Sequence, residues 1–412
     1  MQNRPMMSGL LSLLSQPSLP PAQFQDAVRT MAASDMTRLV MELQRHGTLY
    51  QLLCHVEVHG APREFDRSLM VSMRSAGMRR LWPEMEEATT ATELLDRIER
   101  RMAAGLEDAC RCMSGLEGVM LLKGAALRFV APQYRRYRTD VEVYANSLGA
   151  AATLLRWLSN TGYRLVKRIM FGYLGTRPFA CGQLLRGRFS LGVHAGAIPS
   201  ISTCYPRPLE LDPFEGAHRI SSAWGEVTVP SVDSMLVMLI GHMVRHGCIK
   251  HKDVADYMVF ELLGLDMLRV WDVLRRNGLH TFYELLSQRA EAFQGKGEAN
   301  RKSLRHNVVG FFMDRGRRKG LTGSLVVQAL CLMNMQRRRQ QLDGATIGLV
   351  RLLLDQCFGR LPVFGARLRR HNERVWDRLM PENQRILSFP TLDSFLHWLP
   401  SPHTVANSPT RK

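Results

Sequence analysis

Residues 121–145 read LLKGAALRFVAPQYRRYRTDVEVYA, and the fold turns on how Asp140-Val141-Glu142-Val143 is interpreted. Acidic and apolar residues alternate there with the period of a β-strand. Asp140 and Glu142 therefore project from one face, Val141 and Val143 from the other. Two carboxylates about 7 Å apart on one pleated face repel each other unless something positive lies between them. A solvated strand edge relieves that repulsion without any function. A divalent cation relieves it with one.

Working outward, GVMLLKG (118–124) is a short apolar run bounded by glycines, the pattern of a buried strand. AALRFV then gives one or two helical turns, which Pro132 stops. After the acidic strand, LGAAATLLRWLSNTG is an amphipathic helix ended by Gly162. GRFSLGVHAG and GEVTVP are further strand candidates, with a stretch between them broken by Pro199, Pro206, Pro208 and Pro213. The order strand, helix, strand, helix is that of a mixed unit.

The flanks have a different texture. MTRLVMELQRHGTLYQLLCHV and TATELLDRIERRMAAGLEDACRCM space their apolar residues for helices, with Thr92 or Thr90 as cap and Glu93 in the first turn. From Val232 onward DSMLVMLIGHMVRHG, KDVADYMVFELLG and DMLRVWDVLRRNG are helical again. The expected class is α+β: a helical region 1–114, a small mixed-sheet core 115–232, a helical region 233–400, and a polar tail 401–412 that reads as disordered.

A chain of 412 residues with 45% hydrophobic content carries a full core. Its 55 Lys and Arg against 37 Asp and Glu give a net charge of +18, which attracts polyanions without selecting among them. The 8 cysteines are scattered, so no disulfide framework is expected. Cys110 and Cys112 alone are close, and helix packing accounts for them. No stretch of about 18 apolar residues is present, so no membrane span is expected and the chain reads as reduced, soluble and cytoplasmic. His242 and His246 share a helix face, but Met243 stands where a metalloprotease has Glu, which favours packing over zinc. The basic clusters RGRRKG, QRRRQQ and RLRRHNERVW are solvated faces by default. No nucleic-acid-binding signature accompanies them, so a nucleic-acid partner is open but not favoured.

A glycine-small pair after a strand, a short helix, then an acid-x-acid strand resembles the nucleotidyltransferase superfamily that includes polymerase β. The pair here is Gly124-Ala125, and the acids are Asp140 and Glu142. LLKGAAL, then Tyr134 and Arg136 or Arg138, is similar to a bacterial branch described as uncharacterised nucleotidyltransferases. FEGA, the step from Val229 to Asp233, the helix with His242 and His246, and Asp256 extend the likeness over roughly 115–260. The resemblance implies Asp140 and Glu142 as catalytic ligands of Mg²⁺, with an NTP substrate. Lys123, Gly124, Ala125, Arg136 and Arg138 would hold its phosphates. Two positions depart from the pattern. Ala125 replaces the usual Ser, and Gly192, before Val193-His194, stands where a third acid is expected. The resemblance implies transfer of NMP to a peptide or small-molecule acceptor, as in maturation of a small modified peptide. The departures equally suit a degenerate scaffold that binds a nucleotide or a partner in such a pathway.

Overall fold

The computed structural model describes residues 10, 13–14, 16–30, 33–137, 140–174, 177–187, 189–201, 205–246, 249–277, 279–294 and 387–398. Arg138, the side chain of His246, the three basic clusters and the tail 401–412 lie outside the described residues.

Helices α1 (Pro21–Thr30), α2 (Ala33–His46), α3 (Leu49–His59), buried all round from Leu49 to Val56, and α4 (Arg63–Ser75) precede the 23-residue α5 (Ala91–Met113). Thr90 caps α5: its side-chain oxygen accepts the Glu93 N–H at 3.1 Å, which satisfies one of the orphan donors of the first turn. The apolar faces of these helices form one core that includes Phe24, Leu39, Leu53 and Trp82. α5 serves two cores. Leu94, Leu95 and Ile98 belong to that first cluster, whereas Leu106, Ala109, Cys110 and Cys112 belong to a second that runs through the sheet and the later helices. The cysteine pair is therefore packing, and the described cysteines Cys54, Cys110, Cys112 and Cys181 are unbridged.

The second core is laid down from β1 (Val119–Leu122), α6 (Lys123–Val130), β2 (Val141–Ala145) and α7 (Leu148–Asn160). Gly118 admits the turn into β1: its φ is +71°, and an added Cβ would lie 2.6 Å from the Asn146 side chain. The long hairpin β3 (Arg164–Leu174) and β4 (Arg177–Arg186) follows, then β5 (Phe189–Gly196). Short hairpins β6–β7 (Pro199–Ile201, Tyr205–Pro208) and β8–β9 (His218–Ser222, Gly225–Val229) come next. Helices α8 (Val232–His246), α9 (His251–Leu262), α10 (Met267–Asn277) and α11 (His280–Phe293) follow, and β10 (Leu387–Phe389) and α12 (Leu392–Trp398) complete the described chain.

The six strands run in the order β1-β2-β5-β4-β3-β10. Only β2 and β5 pair parallel, so the sheet is mixed and the chain is α+β. β10 departs from the expectation that 233–400 is helical. It supplies the partner that the outer edge of β3 needs, with Phe389 opposite Ile169. α5 and α7 pack on the sheet, while α8 packs on α6 and carries α9, α10 and α11 with it. No described helix is long and apolar enough to cross a membrane.

Candidate functional site

β2 keeps the alternation its sequence requires. Val141 and Val143 are buried in the core, and Glu142 is turned to the other face and half-buried. Asp140 occupies a bend just before the strand. In register, Glu142 lies between Leu122 of β1 and Gly192 of β5. Asp140 and Glu142 line one cleft of about 230 Å³, together with Lys123, Gly124, Ala125 and Arg136. Its other wall comes from Met235, Met238 and His242 on α8 and from Lys252, Asp256 and Phe260 on α9. Six of the seven residues singled out from the sequence thus share a cleft, and Arg138 lies outside the described residues.

The question of what separates the two acids has a partial answer in Lys123. Its Nζ forms an ion pair with Glu142 Oε2. Lys123 is the first residue of α6 and has φ of +52°, in the left-handed region, alone among the described non-glycine residues. That conformation costs an L-residue about 1–2 kcal/mol and is of the kind that clusters at functional turns. It lets the chain leave β1 and start α6 at the cleft, with Gly124 and Ala125 in the first turn. The first amides of a helix have no partner within it, and the positive end of its dipole lies with them. The left-handed residue is thus Lys123 and not Gly124, so the glycine motif works here through a strained lysine.

The loop between α6 and β2 is fastened from two sides by alternate residues. Tyr134 donates to Asp256 Oδ1 at 3.1 Å, and Arg136 Nε lies 2.7 Å from the same oxygen. Arg135 turns the opposite way, donating from Nε to Glu99 Oε1 at 2.5 Å and pairing with Glu57. Tyr137 packs between Tyr50 and Trp82. The N-terminal helices therefore hold the segment that delivers Arg136 and Asp140 to the cleft. Asp256 is nearly inaccessible. Burial pushes its carboxyl upward while the Arg136 guanidinium opposes that shift. Burial works against the Arg136 charge too, but Asp256 prevails and keeps the guanidinium protonated. Lys252, one turn before Asp256, has its pKa lowered by burial and by repulsion from Arg136.

The donor set has a definite character with respect to Mg²⁺. Among the described residues no group of three or more His, Cys, Asp or Glu is arranged to hold a metal. Mg²⁺ is commonly held by one or two carboxylates, with phosphates and waters completing the shell. Asp140 and Glu142 fit that role once phosphate is present and Lys123 moves off Glu142. Gly192 offers no ligand. A Cβ built on it would lie 3.4 Å from Glu142 Cγ and 3.8 Å from His194 Nε2, in ordinary contact. A carboxylate at 192 would therefore stand beside Glu142, where the resemblance expects one.

Lys252 was not legible as a site residue, and Asp256 carried no role. Both lie in KDVADYMVFELLG, where Asp253 and Asp256 sit among buried apolar neighbours. Acids spaced i, i+3 on the apolar face of a helix are the signal that something cationic faces them. No protein family, curated protein or solved structure matches this chain.

Proposed function

We propose that the protein is a metal-dependent nucleotidyltransferase that moves NMP from an NTP to an acceptor. The observation that carries this reading is the convergence of Asp140 and Glu142 with the Lys123-Gly124-Ala125 helix start on one cleft. Phosphoryl-type transfer needs little covalent chemistry from the protein: it needs phosphates held in place and their charge neutralised. In the proposed reaction an acceptor oxygen bonds to the α-phosphorus and the bond to the α–β bridging oxygen breaks. Pyrophosphate departs with that electron pair, and the acceptor proton passes to solvent. Mg²⁺ bound by Asp140 and Glu142 would supply charge neutralisation at the phosphates. Lys123, released from Glu142, would turn to a phosphate oxygen, and the α6 amides would hold another. The cleft of about 230 Å³ is smaller than the roughly 300–1,000 Å³ of whole-ligand sites. It suits the phosphate end of a nucleotide, with the base outside. The acceptor class we propose is a small peptide undergoing maturation, in keeping with the family resemblance.

The test is transfer of label from α-labelled NTPs to candidate peptides with Mg²⁺, in the wild type and in Asp140→Asn. Label transfer by the wild type, abolished in the variant, is the expected result. A second reading is favoured by the Lys123–Glu142 ion pair and by Gly192: a non-catalytic scaffold that binds nucleotide or a partner without metal. Nucleotide affinity that is the same with and without Mg²⁺, with no transfer, would select it.

A further inference from the structure

Lys252 stands apart from the other charged groups of the cleft. Lys123 is paired with Glu142, and Arg136 with Asp256. Lys252 lines the same cleft, is half-buried, and makes no hydrogen bond or ion pair among the described residues. Burial and repulsion from Arg136 lower its pKa, and the charges of Asp253 and Asp256, neither of which forms an ion pair with it, oppose that shift. Its stem is also placed by a specific contact. A Cβ on Gly47, in the turn between α2 and α3, would lie 2.7 Å from Lys252 Cδ, and Gly47 has φ of +72°. The glycine leaves the groove in which the lysine stem lies. The turn at Gly47 thus holds, against a cleft that Asp140 and Glu142 line from the sheet side, a cation with no ion pair among the described residues.

We propose that Lys252 is the anchor for the departing phosphate groups: its ammonium holds oxygens of the pyrophosphate end of the substrate, and Gly47 positions it. This deepens the nucleotidyltransferase reading and rests on it for the identity of the leaving group. The anion site itself does not require catalysis. The anchor accounts for a cleft cation that, unlike Lys123 and Arg136, has no ion pair among the described residues, because a phosphate oxygen would complete it. It also gives the N-terminal helical unit a part in substrate binding, through Gly47.

The experiment is calorimetric titration of the full chain with inorganic tripolyphosphate in the absence of divalent metal, for the wild type and Lys252→Met. Methionine keeps an unbranched stem against Gly47 and removes the charge. We expect Lys252→Met to weaken tripolyphosphate binding about ten-fold or more, with a thermal midpoint equal to or above that of the wild type. A purely structural lysine would give the opposite pair of results. Wild-type protein that fails to bind millimolar tripolyphosphate, or a folded Lys252→Met that binds within two-fold of wild type, overturns the anchor. Label transfer from α-labelled NTP separates the two readings. Tripolyphosphate binding that depends on Lys252, without transfer, keeps the anchor and removes the transferase. Transfer with an unchanged KM for NTP in Lys252→Met does the reverse.

Discussion

Replacing Asp256 by asparagine keeps the side-chain shape and removes the charge that Arg136 and Tyr134 share. Asp256 has 4% of its side chain exposed and Arg136 16%, so the guanidinium left behind has little water to turn to. Breaking a buried ion pair by removing one partner costs about 3–5 kcal/mol. The modest exposure of Arg136 allows some relaxation, which places the expected loss near the lower end, about 3 kcal/mol. With a urea m-value of about 3 kcal/mol/M for a chain of this size, the midpoint should fall by about 1 M. The assay is urea unfolding followed by circular dichroism and tryptophan fluorescence together, since coincident curves license a single midpoint. The double variant Arg136→Met with Asp256→Leu should recover at least half of the loss, because two apolar groups leave no buried charge behind. A midpoint for Asp256→Asn within about 0.2 M of wild type would refute the argument that this pair holds the cleft loop.

Three further outcomes follow from the same geometry. Lys123→Gly should be more stable than Lys123→Ala by about 1 kcal/mol, since both lose the ion pair and only glycine accepts the left-handed φ without strain; chemical denaturation of the two decides it. Gly192→Asp should destabilise the metal-free protein by about 1 kcal/mol through repulsion from Glu142, read as a lower thermal midpoint. Added Mg²⁺ should recover that loss in this variant more than in the wild type. His55 is buried, and burial lowers its pKa from 6.5 to about 4. The unfolded chain therefore binds the proton more readily, so this contribution is intact above pH 6.5 and is lost as pH falls from 6.5 toward 4. At about 1.4 kcal/mol per pH unit it reaches about 3 kcal/mol. His55→Gln should show a correspondingly flatter stability profile over that window.

The part of the fold nearest the site was legible because its signals are local. Glycines bound β1, Pro132 follows α6, and strict alternation marks β2. The β3–β4 hairpin escaped for a physical reason. β3 pairs with β4 through register shifts between Leu165 and Lys167 and again before Met170. A bulge of this kind breaks the period-two pattern from which a strand is recognised. β10 is three residues long and exists because β3 has an edge to fill. The site divides in the same way. Lys123, Gly124, Ala125, Asp140 and Glu142 lie within 20 positions of one another and could be read as a motif. Arg135 with Glu57 and Glu99, Arg136 with Asp256, and Lys252 with Gly47 are pairings across the fold, which no local pattern encodes.

The central claim is that the cleft between β2, α6 and α9 binds a nucleotide by its phosphates with metal on Asp140 and Glu142. The most direct measurement is a crystal structure with Mg²⁺ and an NTP analogue carrying a methylene group in place of the α–β bridging oxygen. The expected result is phosphates between the Lys123–Ala125 helix start and Lys252, with Mg²⁺ on both carboxylates and the Lys123 ammonium moved from Glu142 to a phosphate oxygen. A nucleotide seated outside this cleft, or a metal–phosphate cluster touching neither Asp140 nor Glu142, would contradict it.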